Sequence, residues 1–208
     1  MQIDRRRFLG CTAGATLAGA AILLGPMPAL ALNRDEAVEF VRVTMKEVTA
    51  LVESAGSGAE KAGRLRRIME KRGAMPEIAR FVAGPVWHRM NEAQQSRFVD
   101  AFSGFVSAVY ARRFQEYSGA ARQGELFTMG TVVDAGRKGL LVKTSIERAG
   151  GGPIAVDWLV SDQPGRVVIA DIVIEGISLL VTQREEIGSM LEARGGDVDK
   201  LIDHLASA

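Results

Sequence analysis

Apolar positions in the first half of the chain recur at helical spacing. Val41, Met45, Val48 and Val52 step by four, three and four, which places them on one helix face. Asn33 and Glu36 stand ahead of that stripe with capping-box spacing, and Gly56 stands where the helix should end. Ser57 and Glu60 repeat the signal before a second helix, carrying Leu65 and Ile68 to Gly73. Met75-Pro76-Glu77-Ile78 opens a third, with proline in its first turn and Ile78, Phe81 and Val82 on its apolar face. The longest helix begins at Asn91, with Gln94 completing a capping box, and runs to about Tyr117. Phe98, Phe102, Phe105 and Val109 form its stripe, which Tyr110 and Phe114 widen.

Beyond Gly119 the period changes from helical to alternating. Thr128 to Val133 and Leu140 to Glu147 read as strands around a Gly136-Arg137-Lys138-Gly139 turn. After the Ala149-Gly150-Gly151-Gly152-Pro153 loop, Ile154, Val156, Trp158 and Val160 share one face of a third strand. Asp162 to Arg166 carries turn chemistry, and Val167 to Ile174 is apolar except at Asp171, as in a strand covered on both faces or one with a face on the core and the other on a ligand. Thr182 and Glu185 have the spacing of a capping box for a helix to Arg194, and a last helix is predicted from Asp197 to about Ala206. Helices, then strands joined by short connections, then helices make an α+β domain. The expected geometry is a curved antiparallel sheet of about four strands wrapped by helices.

Residues 1–31 read as an export signal rather than part of the fold. Arg5-Arg6-Arg7-Phe8-Leu9 resembles the twin-arginine motif, an Ala- and Gly-rich apolar run follows, and Ala29-Leu30-Ala31 is an Ala-x-Ala cleavage site. Residues 32–208 are then the mature domain. Loss of Asp4, Arg5, Arg6 and Arg7 takes the formal net charge from +1 to about −1, too neutral for a nucleic-acid binder. The single cysteine, Cys11, leaves with the signal, so neither disulfide nor thiol chemistry remains. The second helix is rich in cations, including Lys61, Arg64, Arg66, Arg67, Lys71 and Arg72, and with Glu60 and Glu70 nearby it reads first as a solvated face and only second as a docking face.

The run Asp171-Ile172-Val173-Ile174-Glu175-Gly176-Ile177-Ser178-Leu179, with Arg184 five residues on, resembles the MlaC or toluene-tolerance (Ttg) family of periplasmic phospholipid-binding proteins. Ala83-Gly84-Pro85-Val86-Trp87 before the longest helix, and Gln95-Ser96-Arg97-Phe98, Phe102 and Tyr110 along it, extend the likeness. The likeness is dense from Ala83 to Tyr110 and from Val156 to Leu205; Gln183, where the family pattern has an aromatic, departs from it, as does the twin-arginine-like signal. The resemblance implies an NTF2-like core with added helices and a deep apolar cavity for acyl chains. It also implies a monomeric shuttle moving phospholipid between an outer-membrane lipoprotein complex and an inner-membrane ABC transporter, maintaining outer-membrane lipid asymmetry without a cofactor. Apolar periodicity together with the resemblance selects Phe81, Val82, Trp87, Phe102, Phe105, Val109, Val142, Trp158, Val160, Ile172 and Ile174 as candidate wall residues. Arg184 is the candidate contact for a headgroup phosphate. The architectural reading of the same motif assigns Gly176 to a turn, Ser178 to a backbone group and Arg184 to a carboxylate.

Catalytic patterns are sparse. No Gly-x-Ser-x-Gly elbow, His-Glu-x-x-His helix or phosphate loop occurs. His88 lies between Trp87 and Arg89 without metal-ligand spacing, and His204 is the only other histidine. Asp157 and Asp171 fall on adjacent predicted strands and leave a second reading, an NTF2-like isomerase with Asp171 as a general base inside the pocket; a third is a periplasmic interaction protein with a filled core and no ligand.

Overall fold

The computed structural model describes residues 32–117, 127–147, 152–163 and 165–207. The candidate export signal and the loop residues Ala149, Gly150 and Gly151 lie outside the described residues.

Four helices come first: α1 (Arg34–Glu53), α2 (Gly58–Arg72), α3 (Met75–Ala83) and α4 (Glu92–Tyr117), with a 3-10 segment at Gly84–Arg89. Their starts follow the capping signals. Asn33 Oδ1 accepts from Glu36 N at 2.7 Å, Ser57 and Glu60 form a reciprocal box, and Asn91 and Gln94 form another. The strands β1 (Phe127–Asp134), β2 (Leu140–Ile146), β3 (Ile154–Gln163), β4 (Arg166–Ile174) and β5 (Ile177–Ser178) follow, then α5 (Leu179–Glu192) and α6 (Val198–Ser207).

The strands form one antiparallel sheet in sequential order, a meander. It has one strand more than the expected four, because Ile177–Ser178 folds back onto the end of β4. Glu175 and Gly176 make that turn with φ of 49° and 81°, the two positive φ values of a tight hairpin. The start of α5 differs from the expected Thr182 cap. Ser178 is the N-cap, its Oγ accepting from Val181 N at 3.1 Å, and the Thr182 hydroxyl instead bonds back to Ser178 O within the first turn. Both Ser178 and Thr182 can cap; Ser178 prevails because β5 has already delivered it, in extended backbone, to the helix entrance.

Two large hydrophobic clusters hold these layers, with a smaller third of Leu51, Leu65 and Ala111 among α1, α2 and α4. One is helical, with Met75, Ala79, Val82, Phe98, Phe102, Phe105, Ile187, Leu201 and Leu205 at its centre. The other lies between α1 and the sheet, where Ala37, Val41 and Met45 meet Val142, Val156, Trp158 and Val160. Between the two large clusters α2, α3 and β4 are tied by one main-chain bond and by the Arg166 side chain. Ala74 N donates to Ile169 O at 2.9 Å, and Arg166 reaches across to Gly73 O at 3.2 Å and Glu70 O at 3.4 Å, closing the C-terminal end of α2. Among the described residues no helix is long and apolar enough to cross a membrane.

Candidate functional site

The inner face of the sheet is shaped by a bulge in β4. Leu159 pairs with Asp171, but Val160 pairs with Ile169, so Ala170 is an extra residue. Simple alternation would put Ile169 and Ile172 on opposite faces. The bulge instead places both on the face shared by Trp158 and Val160. The Trp158 indole satisfies its polar edge within the sheet: Nε1 donates to Thr144 Oγ1 at 3.1 Å, and that hydroxyl donates to Val156 O at 2.7 Å.

A cavity of about 180 Å³, partly open to solvent, opens between this face and the helices. β3 and β4 contribute Trp158, Ile169, Ala170, Asp171 and Ile172; α1 and α2 contribute Thr44, Val48, Leu65, Ile68, Met69 and Arg72; the remaining wall comes from α3, α4 and α5. The lining is almost wholly apolar. Two clusters flank it because α1 covers only part of the sheet, while α3, α4, α5 and α6 pack on one another.

The polar side chains at its edge are mostly committed. Asp171 Oδ1 accepts from Ile172 N at 2.8 Å and Leu180 N at 3.1 Å, and Oδ2 accepts from Ser178 Oγ at 2.6 Å. This carboxylate clasps the end of β4 to the start of α5, where the helix favours negative charge. Arg72 binds Glu47 through Nη2 at 2.6 Å and Nε at 3.2 Å and lies 5.2 Å from the Phe40 ring. The Arg72 hydrogen bond holds the Glu47 carboxyl below its ordinary value; burial opposes this and Lys71 reinforces it. Tyr110 also lines the cavity, and its pKa is raised, first by burial, with Arg113 opposing and Glu186 adding. Gln183 is 7% exposed; Nε2 donates to Glu186 at 3.0 Å, but Oε1 is buried without a donor. Such an orphan acceptor costs about 1–3 kcal/mol.

Of the candidate wall residues, Phe102, Trp158 and Ile172 line the cavity. Val82 and Phe105 are in the helical cluster, with Trp87 and Val109 packed against it. Val142 and Val160 are fully buried beneath α1, and Ile174 packs beside them. Phe81 is 39% exposed on α3, and Arg184 lies 4.9 Å from its ring centroid, with Nη1 donating to Phe81 O at 3.3 Å. Arg184 is therefore exposed beside α3, packed on an aromatic ring rather than on a carboxylate. The wall residues that sequence reasoning missed include Met69, Ile169, Val106 and Tyr110. A signal existed for the last two, since Phe102, Val106 and Tyr110 form a second stripe of four-residue steps on α4. Among the described residues no group of acidic, histidine or cysteine side chains is arranged to hold a metal.

The family model described as MlaC protein matches residues 42–207. The chain belongs to the MlaC protein family. Its fold is similar to that of a solved structure, the phospholipid-binding protein from Ralstonia solanacearum in complex with a phospholipid. The TM-score is 0.65 at 19% identity, covering 82% of this chain and 95% of that one. No curated protein matches the chain significantly. Within this MlaC chain the Glu-Gly-Ile-Ser motif has a local structural account. Glu175 accepts from Ala155 N and donates its own N–H to Ala155 O at 3.0 Å, Gly176 completes the turn, and Ser178 caps α5 while donating to Asp171.

Proposed function

We propose that residues 32–208 form a periplasmic phospholipid carrier, exported by a cleaved twin-arginine-like signal in residues 1–31. In this reading the protein shuttles lipid, as a monomer, between an outer-membrane lipoprotein complex and an inner-membrane ABC transporter. The observation that carries the proposal is the apolar cavity between sheet and helices. Burying a methylene is worth about 0.8 kcal/mol, so such a lining takes up acyl chains in preference to water. Family membership and the shared fold with a phospholipid-bound protein support the same reading. Phe102, Trp158 and Ile172 would contact acyl chains directly, and the other candidate wall residues would shape the cavity from behind. Arg184 would meet a headgroup phosphate from the surface beside α3. No bond is broken and no cofactor is involved.

The NTF2-like enzyme reading needs Asp171 in the cavity as a general base. Asp171 does line the cavity, but its carboxylate is engaged by a hydroxyl and two backbone N–H groups, which favours the structural role. Native mass spectrometry of the mature protein purified without detergent, with lipid extraction of the same sample, tests the carrier. About one phospholipid per chain is expected. A bare chain that takes up no lipid from vesicles would sink the proposal, and undiminished loading of Arg184→Ala would remove that residue from the site.

A further inference from the structure

Polar side chains around the cavity meet their needs inside the protein, with Gln183 as the exception. Thr44 Oγ1 donates to Phe40 O at 2.7 Å, Arg72 is held by Glu47, and Asp171 accepts three hydrogen bonds. The only buried side-chain polar atom without a partner among the described residues is Gln183 Oε1. Its identity as oxygen follows from its neighbour. The Glu186 carboxylate at 3.0 Å accepts hydrogen bonds, so the amide nitrogen faces it and the carbonyl is left over. Gln183 itself lines the cavity, and its terminal amide torsion is soft.

The surroundings of Gln183 are the polar part of an otherwise apolar wall. Tyr110 lines the same cavity, Glu186 acts electrostatically on its hydroxyl, and the Arg113 guanidinium lies 5.4 Å from its ring centroid. Acyl chains carry no N–H or O–H, whereas the glycerol and headgroup end of a phospholipid often does. An acceptor without a donor therefore marks where the polar end of a lipid belongs, not where its tails lie.

We propose that Gln183 Oε1 accepts a hydrogen bond from the polar end of the bound lipid, an ammonium N–H or a hydroxyl O–H, and that the cavity therefore favours donor-bearing headgroups. This rests on the carrier reading. The test uses mature protein stripped of lipid and incubated with vesicles holding equal amounts of phosphatidylethanolamine, phosphatidylglycerol and phosphatidylcholine with matched acyl chains. Phosphatidylcholine is the control because its trimethylammonium and phosphate carry no donor. After repurification the bound lipids are counted by native mass spectrometry.

The wild-type protein is expected to take a donor-bearing lipid over phosphatidylcholine by about tenfold, equivalent to about 1.4 kcal/mol. Enrichment of phosphatidylethanolamine identifies the ammonium as donor, and enrichment of phosphatidylglycerol the hydroxyl. Gln183→Met keeps the side-chain length, removes the acceptor, and should bring the ratio to about one. Equal loading of all three on the wild type overturns the proposal while leaving the carrier reading intact, and a preference unchanged in Gln183→Met does the same. No lipid of any class on the wild type overturns both. The wild-type ratio decides even if the variant does not fold.

Discussion

Asp171 shows how one residue can look catalytic in sequence and serve as a fastener in the fold. An acid in an apolar strand invites a chemical role, and its place at the cavity wall sustains the invitation. Its three hydrogen bonds join strand, turn and helix instead. Asp171→Ala leaves the Ser178 hydroxyl and Leu180 N without their acceptor and should destabilise the fold by about 2–3 kcal/mol, read from the midpoint of urea unfolding. Ser178→Ala should cost about 1 kcal/mol, as expected for an N-cap. A variant at Asp171 as stable as wild type would refute the clasp. The turn role of Gly176 and the backbone role of Ser178 were legible from their residue types. The position of Arg184 over Phe81 was not, because a flexible cation chooses among surface partners only after α3 and α5 have met.

At the scale of elements, α4 and β4 carry the lesson. The stripe from Phe98 to Val109 on α4 is real, but α4 is buried on more than one side. Phe105 belongs to the helical core, while Val106 and Tyr110, one residue further round the helix, line the cavity. A periodic pattern tells that a face is covered, not by what. On β4, the bulge at Ala170 changes which residues share a face, and nothing in an apolar run announces it. Three of the cations of the basic helix α2 form ion pairs, some within the helix and some to α1 and α4. Arg66 pairs with Glu70 and Asp100, and Lys71 and Arg72 pair with Glu47 of α1. Because the folded Glu47 pKa is held below the ordinary 4.5, its pairing stabilises the fold above the unfolded value and is lost as pH falls through the folded value. Glu47→Gln should therefore lose less stability than wild type between about pH 6 and about pH 3, measured as urea midpoints. Parallel pH curves for the two proteins would contradict that linkage.

The molecule as a whole is built around a space it does not fill. All three hydrophobic clusters contribute residues to the cavity wall, and the bond from Ala74 N to Ile169 O ties the start of α3 to β4. A lipid in that space binds only the folded state, so the carrier reading predicts a melting temperature that depends on cargo. Protein stripped of lipid should melt below the loaded form in calorimetry, by an amount equivalent to about 2.7 kcal/mol when free lipid stands at a hundred times its dissociation constant. Identical melting of the two forms would speak against a cavity ligand.

By itself the sequence determined the helices from Asn33 to Tyr117 with their caps, the alternating strands, the α+β order and the family likeness at Asp171 to Leu179. These follow from local chemistry: capping side chains, periodicity and turn residues act over a few neighbours. The tertiary structure alone decided which apolar face meets another side chain and which meets the cavity. It also decided that β5 hands Ser178 to α5 and that Gln183 is left holding an acceptor without a donor. Those outcomes depend on register and on which helix covers which strand, and apolar residues look alike in sequence whether they face a neighbour or a void.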